Sequence, residues 1–389
     1  MFLDLTPAQK ALRGDARDFC REVATPEVIA GLHAAEHGPE YKYVMSRLGE
    51  AGWIAYGWPR EYGGQGGDWT DQLILFEECL RAGLTPPLIT GGTVGPAIIK
   101  FGTPEQKAFF LPAIAAGRLH FAIGYSEPNA GTDLAALRTK AELTGDEFVI
   151  NGNKIFTSGA EAADYIFLAT RTDPDLARHR GLSVLLVPTR SNGYSRTALP
   201  TAYYLETSAT FYDDVRVPRS ALLGELNGGW KIITSQLNHE RFWLAAWSVV
   251  AEQLYGRVAQ WARDTPSDGG RRIDIPWVRV ALASAYARIE AARLFNWKAA
   301  WQFDRGEDDP AFISMGKFYS TETLTDVYRL LMEVVGPTST ITGAKAAAPL
   351  HGDLERQMRV CQNNTYGGGN AEVMRDLTAQ FAFGLSRNR

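Results

Sequence analysis

Apolar residues recur at helical spacing through the first part of the chain, from Thr6 to about Gly117. The stretch TPAQKALRGDARDFCREV opens on a threonine that can cap a helix, and a proline follows in the first helical turn. Short loops rich in glycine and proline, such as WPREYGGQGGDW, separate the periodic stretches. This pattern predicts a helical N-terminal domain, which we place at residues 1–120.

The spacing changes near Phe121, where short runs rich in aromatic and β-branched residues alternate with turn signals. These runs read FAIGYS, EFVINGNKIFTS, DYIFLATRT, GLSVLLVPT and ATFYDDVRVP. They predict a middle β-domain over residues 121–232. Within it, Asn151-Gly152 predicts a hairpin turn, because both central positions of a type I′ turn need positive φ and these two residues tolerate it best.

Helical spacing returns after Trp230 and continues through three long stretches. A polar segment, TPSDGGRRIDIP at residues 265–276, interrupts them and predicts a solvated turn. We therefore expect a C-terminal helical domain over residues 233–389. The fold class that the whole pattern predicts is mainly α with a central β-domain.

Composition and charge narrow the classes of function. A chain of 389 residues with 45% hydrophobic content is long enough for two or three domains. Its formal net charge of -4 argues against nucleic acid or an anionic membrane as a partner, since proteins that bind polyanions usually carry a basic excess. No apolar run approaches the roughly 18 residues of a membrane helix. Cys20, Cys79 and Cys361 lack metal-ligand spacing, so we expect reduced thiols and a cytoplasmic location.

One short motif suggests a metal. Residues 33–37 read HAAEH, which matches the HxxEH pattern of a class of zinc peptidases. Gly38-Pro39 follow at once and should end the helix that would have to carry both histidines on one face. We therefore predict an exposed helix end here, and no metal site.

Two longer motifs are more specific. The stretch FAIGYSEPNAGTDLAALRTKA, residues 121–141, supplies hydroxyls and backbone N–H groups at a strand end, which suits an anionic or heterocyclic ligand, although an ordinary turn would also fit. The stretch KIFTSGAEAADYIFLATRT, residues 154–172, follows it. Together with DDVRVPRSALLGELNGGW, these motifs resemble the acyl-CoA dehydrogenase family, and the resemblance covers essentially the whole chain.

The resemblance implies an acyl-CoA dehydrogenase fold, with an N-terminal helical domain, a middle β-barrel or sandwich and a C-terminal four-helix bundle. It also implies that FAD and an acyl-CoA substrate meet among these domains. By position in the family pattern, Tyr125 and Ser126 would face the pyrimidine edge of the flavin, and Thr132 would lie near the pyrophosphate. Phe156 would cover the flavin ring, and Ser158 would lie near its N5 atom.

The family also implies a catalytic base. A carboxylate removes the α-proton of the acyl thioester while the β-hydrogen leaves as hydride to the flavin, which gives a trans-2-enoyl-CoA. Most members carry this carboxylate in a Y-E-G-T-x-Q loop, but the corresponding segment here reads YGGGNA, residues 366–371, with Gly367 in place of the glutamate. Isovaleryl- and long-chain-type members instead place the glutamate early in a C-terminal helix, immediately before an arginine.

The stretch LNHERFWLA supplies such a pair, Glu240-Arg241, so Glu240 is the predicted base. The alternative is that Glu240 is a first-turn glutamate that complements the helix dipole. Asn238 and Arg241 fall where the family contacts the CoA arm.

Two further departures concern assembly. The family's R-x-x-F-G motif, which grips the FAD of a neighbouring subunit, is absent, and TPSDGGRRIDIP stands near its place. The Q-x-x-G-G counterpart reads EVVGP at residues 333–337. Arg271 and Arg272 could replace the missing arginine, although a solvated turn is the simpler interpretation. Similar losses occur in the base-bearing subunits of actinobacterial steroid side-chain dehydrogenases, which are α2β2 heterotetramers.

The sequence therefore predicts an FAD-dependent acyl-CoA dehydrogenase subunit that works with a sister subunit on a bulky, steroid-derived acyl-CoA. Two alternatives stay open: a homomeric dehydrogenase for a branched short acyl-CoA or a carrier-bound acyl group, and a non-catalytic partner subunit. Family analogy alone suggests an electron-transfer flavoprotein as the electron acceptor.

Overall fold

The computed structural model describes residues 4–202, 206–343 and 349–386. The N-terminal part is helical, as its apolar spacing predicts. Thr6 caps the first helix by accepting a hydrogen bond from the backbone N–H of Gln9, whose side chain bonds back to the Thr6 N–H. The Thr25 and Thr103 hydroxyls cap two further helices, each with proline in the first turn, and at Thr103 the Gln106 side chain bonds back to the Thr103 N–H. The helices are α1 (Pro7–Val23), α2 (Pro26–Ala34), α3 (Pro39–Glu50), α4 (Trp69–Arg81), α5 (Gly95–Phe101) and α6 (Pro104–Ala115).

The middle part forms a β-sheet. Among the described residues it has eight strands, in the order β6-β7-β3-β2-β4-β5-β8, and β1 pairs in parallel with β4. The central strands β4 and β5 are buried along most of their length and pack against the N-terminal helices. The strands are β1 (Phe121–Gly124), β2 (Lys140–Thr144), β3 (Glu147–Lys154), β4 (Tyr165–Arg171), β5 (Leu182–Pro188), β6 (Tyr194–Pro200), β7 (Glu206–Pro218) and β8 (Leu222–Leu223).

The predicted hairpin at Asn151-Gly152 is wrong. β3 runs through both residues, and the turn lies earlier, at Gly145-Asp146 between β2 and β3. Gly152 instead marks an irregularity in the pairing of β3 with β7, and its φ is 145°. A Cβ atom there would lie 2.7 Å from the Cα atom of Thr139, so glycine permits a close backbone approach at this point.

The C-terminal part is a helical bundle around a central buried helix, α10 (Pro310–Val335), which packs against the other long helices of this part. The predicted polar interruption at residues 265–276 forms a short two-stranded hairpin followed by a 3-10 turn. The elements are α7 (Gly229–Ala246), α8 (Val250–Asp264), β9 (Pro266–Ser267), β10 (Gly270–Arg271), α9 (Pro276–Asp304), α10 (Pro310–Val335), α11 (Asp353–Asn364) and α12 (Ala371–Phe383).

The HAAEH segment lies at a helix end, as predicted. α2 ends at Ala34, so His33 and His37 do not share a helix face. His33 is exposed, whereas His37 is partly buried with its Nδ1 atom 3.4 Å from the Glu161 carboxylate. No group of three or more metal-ligating side chains occurs in the part of the chain that the structure describes. Within the same ranges, every helix is too short or too polar to cross a bilayer.

A buried charge cluster joins the first and last parts of the chain. The Arg81 guanidinium on α4 lies 3.1 Å from Glu77, 2.9 Å from Glu78 and 3.0 Å from Glu252 on α8. Glu77 and Glu78 are almost fully buried. Burial raises the pKa of Glu77 to about 7, and Arg81 limits this rise. Arg81 therefore contacts three carboxylates between the two helical parts, and Arg17 on α1 adds a second cation 3.1 Å from Glu78.

We predict that Arg81→Met destabilises the protein by roughly 3–5 kcal/mol, because it leaves the buried Glu77 carboxylate without its ion-pair partner. Thermal unfolding should show a large fall in the midpoint. The pKa of Glu77 in the folded chain lies above its ordinary value of 4.5, so protonated Glu77 stabilises the fold and this contribution is lost as the pH rises through about 7. The loss in Arg81→Met should therefore be smaller at pH 6 than at pH 8.

The matched control is Arg21→Met, which removes an exposed ion pair with Asp18 on α1 and should change stability by less than about 1 kcal/mol. Equal midpoints for the two variants would contradict the prediction.

Candidate active site

A buried ion pair connects the two motifs of the middle domain. Lys154, at the end of β3, is fully buried, and its Nζ atom donates to the Glu127 carboxylate at 2.8 Å and to the Tyr125 carbonyl at 3.0 Å. The Glu127 carboxylate also accepts the backbone N–H groups of Arg138 and Thr139, both at 2.7 Å. Burial lowers the pKa of Lys154 to about 8, against the pull of Glu127. This pair fixes the backbone of the segment that carries the predicted flavin contacts.

The predicted flavin contacts lie close to Glu127 and Lys154 in the sequence. The Ile155 N–H donates to the Ser126 carbonyl at 2.9 Å, which ties the end of β3 to the loop after β1. Phe156 follows at a φ of 60° with 64% of its surface exposed, an uncommon conformation for an aromatic residue. The Ser158 hydroxyl lies 3.0 Å from the hydroxyl of Thr207. Phe156 thus presents an exposed ring from an uncommon backbone conformation, two residues before the Ser158 hydroxyl.

Glu240 lies well inside a helix. α7 begins at Gly229 and ends at Ala246, so Glu240 is about three turns from the N-terminus. The expectation that it lies early in the helix is therefore wrong, and the helix dipole does not explain it, because that effect is confined to the first turn. The helix begins at Gly229, close to where helical spacing returns in the sequence, and Gly229 approaches the backbone of Ser183 closely.

Several groups surround the Glu240 carboxylate. The Gln236 side-chain amide, one turn earlier, donates to Oε2 at 2.9 Å. Burial raises the pKa of Glu240, and the Gln236 amide, the charges of Arg241 and Lys317 and the backbone N–H of Gly368 oppose the rise. The hydroxyl of Tyr125 is buried and has no hydrogen-bond partner among the described residues. Burial raises the pKa of this phenol, and the Glu240 charge adds to the rise.

The triple-glycine loop, residues 367–369, packs directly on this carboxylate. Gly368 and Gly369 have φ values of 66° and 103°, which favour glycine, whereas Gly367 does not have a positive φ. A Cβ atom on Gly368 would lie 3.8 Å from Glu240 Oε1. A Cβ atom on Gly367 would meet Leu244 Cδ1 at 3.4 Å, which is ordinary contact. The loop thus faces Glu240 and carries no carboxylate of its own.

The two residues assigned to the CoA arm bond each other and the glycine loop. Arg241 Nη1 donates to the Asn238 side-chain oxygen at 2.9 Å, and Arg241 Nε donates to the Gly368 carbonyl at 2.9 Å. Burial lowers the pKa of Arg241 to about 10. Their contact with a CoA arm stays a prediction.

The glycine loop also touches the middle domain. The Asn370 amide donates to the Thr132 hydroxyl at 3.3 Å, while its oxygen caps α12 by accepting from the Val373 N–H. The structure therefore brings Thr132, the glycine loop and Glu240 together at one junction of the two domains.

The surroundings of this junction fit an FAD. A flavin needs polar partners at its pyrimidine edge and an aromatic wall, and the unpartnered Tyr125 hydroxyl and the exposed Phe156 ring provide groups of these kinds. Thr132 and Ser158 add hydroxyls beside them. The assignment of these residues, and of Ser126, to individual flavin atoms stays a prediction.

A basic pocket opens beside the loop that carries Thr132. Its volume is about 360 Å³, and Arg138, Lys140, Arg171 and Arg178 line it. Arg171 holds its walls together through hydrogen bonds to the carbonyls of Ala135 and Arg178. Lys140 and Arg178 pair with Glu142 and Asp133, so Arg138 and Arg171 carry the positive charge that favours an anionic ligand such as a phosphate.

The two segments that depart from the family's FAD-gripping motifs lie side by side. Arg272 Nε donates to the Val334 carbonyl at 3.0 Å, and its guanidinium lies over the Trp277 ring at 5.3 Å. Arg271 Nη1 donates to the Asp264 carbonyl at 2.8 Å. Both arginines thus make contacts within their own chain.

Sequence reasoning missed four residues of this region: Glu127, Lys154, Gln236 and Lys317. Glu127 and Lys154 lie inside the two quoted motifs, and an acid and a base in two adjacent motifs are a signal for pairing. Gln236 stands four residues before Glu240, on the same helix face. Lys317 stands in SMGKFYS, and no signal in that stretch marks it as buried, because lysine is rarely buried completely.

Comparison with known proteins places the chain in a family. The models of the N-terminal, middle and C-terminal domains of acyl-CoA dehydrogenases match residues 6–118, 122–215 and 227–383. Acyl-CoA dehydrogenase FadE26 of Mycobacterium tuberculosis is 45% identical, over 100% of this chain and 99% of the relative.

Solved structures agree. The chain is similar to a Tcur3481-Tcur3483 steroid ACAD, with a TM-score of 0.94, 45% identity and 100% coverage of both chains. It is also similar to the ChsE4-ChsE5 complex from Mycobacterium tuberculosis, with the same TM-score, identity and coverage. The family and the fold class predicted from the sequence are thereby confirmed, and the chain belongs to the acyl-CoA dehydrogenase family, whose members are FAD-dependent oxidoreductases.

Proposed function

We propose that this chain catalyses the α,β-dehydrogenation of an acyl-CoA thioester to a trans-2-enoyl-CoA, with Glu240 as the general base. The observation that carries the proposal is the position of the Glu240 carboxylate against the triple-glycine loop, where Gly367 has no side chain to act as base. An α-proton is only weakly acidic, so its removal needs a positioned base. Gln236 orients the carboxylate by holding Oε2.

Tyr125, Ser126, Thr132, Phe156 and Ser158 would hold FAD at this junction. When bound, FAD supplies the acceptor for the hydride that leaves the β-carbon. Glu240 takes the α-proton, and it must be ionised to do so. Because burial raises its pKa, turnover should fall as the pH drops through a value above the ordinary range of glutamate.

The substrate's CoA part needs sites for its phosphates. The basic pocket lined by Arg138, Lys140, Arg171 and Arg178 offers positive charge beside the loop that carries Thr132. Asn238 and Arg241 would lie along the CoA arm, next to Glu240. An electron-transfer flavoprotein is the proposed acceptor for the electrons by family analogy.

We further propose that the chain works with a sister subunit, in an α2β2 particle, on a bulky acyl-CoA derived from a steroid side chain. Arg271 and Arg272 already bond carbonyl groups of their own chain, which argues against their replacing the family's FAD-gripping arginine. Two similar solved structures are a steroid ACAD and the ChsE4-ChsE5 complex, and both names join two gene products. Both similarities support a heteromer that a second subunit completes.

Two rival functions make different predictions. A homomeric dehydrogenase would turn over a branched short acyl-CoA, such as isovaleryl-CoA, without any partner. A non-catalytic subunit would leave the rate of the heteromer unchanged when Glu240 is replaced.

Glu240→Gln should preserve the fold and the FAD content but lower turnover by about 10² to 10⁴, because an amide cannot accept the α-proton. Turnover is measured on the purified heteromer with a steroid side-chain acyl-CoA and an artificial electron acceptor. The matched control, Glu22→Gln, changes an exposed glutamate paired with Arg47 and should retain full activity. Near-native turnover in Glu240→Gln would refute the role of Glu240.

Gly367→Glu should restore part of the lost rate in the Glu240→Gln background, because the backbone at Gly367 accepts a side chain and its Cβ atom would meet only Leu244 closely. The control is Gly368→Glu in the same background. Gly368 has a φ of 66°, and a Cβ atom there would lie 3.1 Å from Leu244, so this variant should not recover activity. Equal recovery, or none at either position, would count against the proposed geometry.

Expressed alone, the chain should purify with little FAD, and coexpression with a sister subunit should restore it. Native mass spectrometry and flavin absorbance should then give an α2β2 particle with two FAD molecules. A homotetramer of this chain alone that holds four FAD and is fully active would contradict the heteromeric proposal and leave the role of Glu240 intact.

A further inference from the structure

Lys317 is a buried cation in the helix behind the proposed base. Its relative exposure is 0%, although lysine is rarely buried completely. Its Nζ atom donates to the Gly369 carbonyl at 2.6 Å and to the Thr365 carbonyl at 3.3 Å. A buried ammonium is unfavourable unless polar groups compensate it, and here the compensation comes from the segment around the triple-glycine loop.

Two helices hold consecutive carbonyls of that loop. Arg241 of α7 donates a hydrogen bond to the Gly368 carbonyl, and Lys317 of α10 donates one to the Gly369 carbonyl. Both glycines have positive φ values, so the loop has an unusual backbone course that these contacts fix. The N–H of Gly368, in the same residue as the carbonyl that Arg241 anchors, acts on the Glu240 carboxylate.

The charges around Lys317 come from three helices. Glu240 and Arg241 face it from α7, Glu322 from its own helix α10, and Glu372 from α12. Burial lowers the pKa of Lys317 to about 8, and Glu240 is the carboxylate that opposes this fall most strongly. The ammonium is therefore charged at neutral pH.

The influence is reciprocal. Against the effect of burial, the charges of Lys317 and Arg241 lower the pKa of Glu240, together with the Gln236 amide and the Gly368 N–H. Tyr125 is the titratable group that faces Glu240 from the middle domain. Of the two cations, Arg241 neighbours Glu240 on the same helix, whereas Lys317 is brought there only by the fold.

We propose that Lys317 is a positioning residue for Glu240: it anchors the triple-glycine loop so that the Gly368 N–H stays at the Glu240 carboxylate, and it places a positive charge behind the base. This inference rests on the proposed function, because it takes Glu240 as the base. It assigns a role to the loop that lacks the usual carboxylate, since the same loop supports the carboxylate that replaces it.

The test is the pH profile of kcat/KM for acyl-CoA dehydrogenation by the FAD-loaded heteromer. In Lys317→Gln and Lys317→Met, the midpoint of the acidic limb should move to higher pH by roughly one unit, because the carboxylate loses a stabilising cation. kcat at neutral pH should fall by about tenfold, with little change in KM. Lys317→Arg keeps the charge and should restore the midpoint.

The control is Lys10→Met, which changes an exposed lysine of α1 and should leave the profile unchanged. A profile of Lys317→Gln that coincides with the native one would overturn the proposal while Glu240→Gln still abolishes turnover. If Glu240→Gln itself stays active, the proposed function fails instead, so the two failures are distinguishable.

A double-mutant cycle of thermal stability tests the proposal if the uncharged variants at Lys317 assemble poorly. Lys317→Met should lower the thermal midpoint of the heteromer less in the Glu240→Gln background than in the native one, because the two charges compensate each other. If Lys317→Met costs the same in both backgrounds, or if the double variant fails to assemble as the single variant does, the lysine merely holds loop carbonyls and the proposal is wrong.

Discussion

A carboxylate removed from water needs hydrogen-bond donors and nearby positive charge, and the junction between the middle and C-terminal domains provides both for Glu240. The Gln236 amide holds one oxygen, and the Gly368 N–H and the charges of Arg241 and Lys317 act on the same group. Burial still raises the pKa of Glu240. The balance leaves a base that is stronger than an exposed glutamate, which suits the removal of a weakly acidic proton.

The flavin side of the site depends on a second buried charge, Lys154. Its pairing with Glu127 fixes the loop after β1 and the end of β3 in one arrangement, and the predicted flavin contacts lie on these two segments. Because the pair is buried, removing one partner would leave an uncompensated charge, so both motifs must change together. This explains physically why an acid and a lysine occur in motifs that are otherwise defined by their hydroxyl and aromatic residues.

Much of the fold could be predicted from the sequence because it depends on local patterns. The helix cap at Thr6 and the change from helical to strand spacing near Phe121 correspond to the observed elements. The hairpin at Asn151-Gly152 was wrong because Gly152 serves a close backbone approach to Thr139 and not a turn, and only the folded sheet shows that contact.

The candidate site was less predictable. Glu240 stands in a recognisable pair with Arg241, but its place three turns into α7 depends on where the helix begins. Lys317 lies 77 positions further along the chain and reaches the glycine loop only through the packing of α10. Contacts between residues so far apart leave no spacing signal in one sequence, whereas Gln236, four positions before Glu240, did leave one.

The central claim is that Glu240 removes the α-proton, and the exchange of that proton tests it most directly. The FAD-loaded heteromer is incubated in D₂O with an acyl-CoA analogue that cannot lose its β-hydrogen, and deuterium at the α-carbon is measured by mass spectrometry. The account predicts exchange with the native protein and with Glu22→Gln, and none with Glu240→Gln. Undiminished exchange in Glu240→Gln would contradict it.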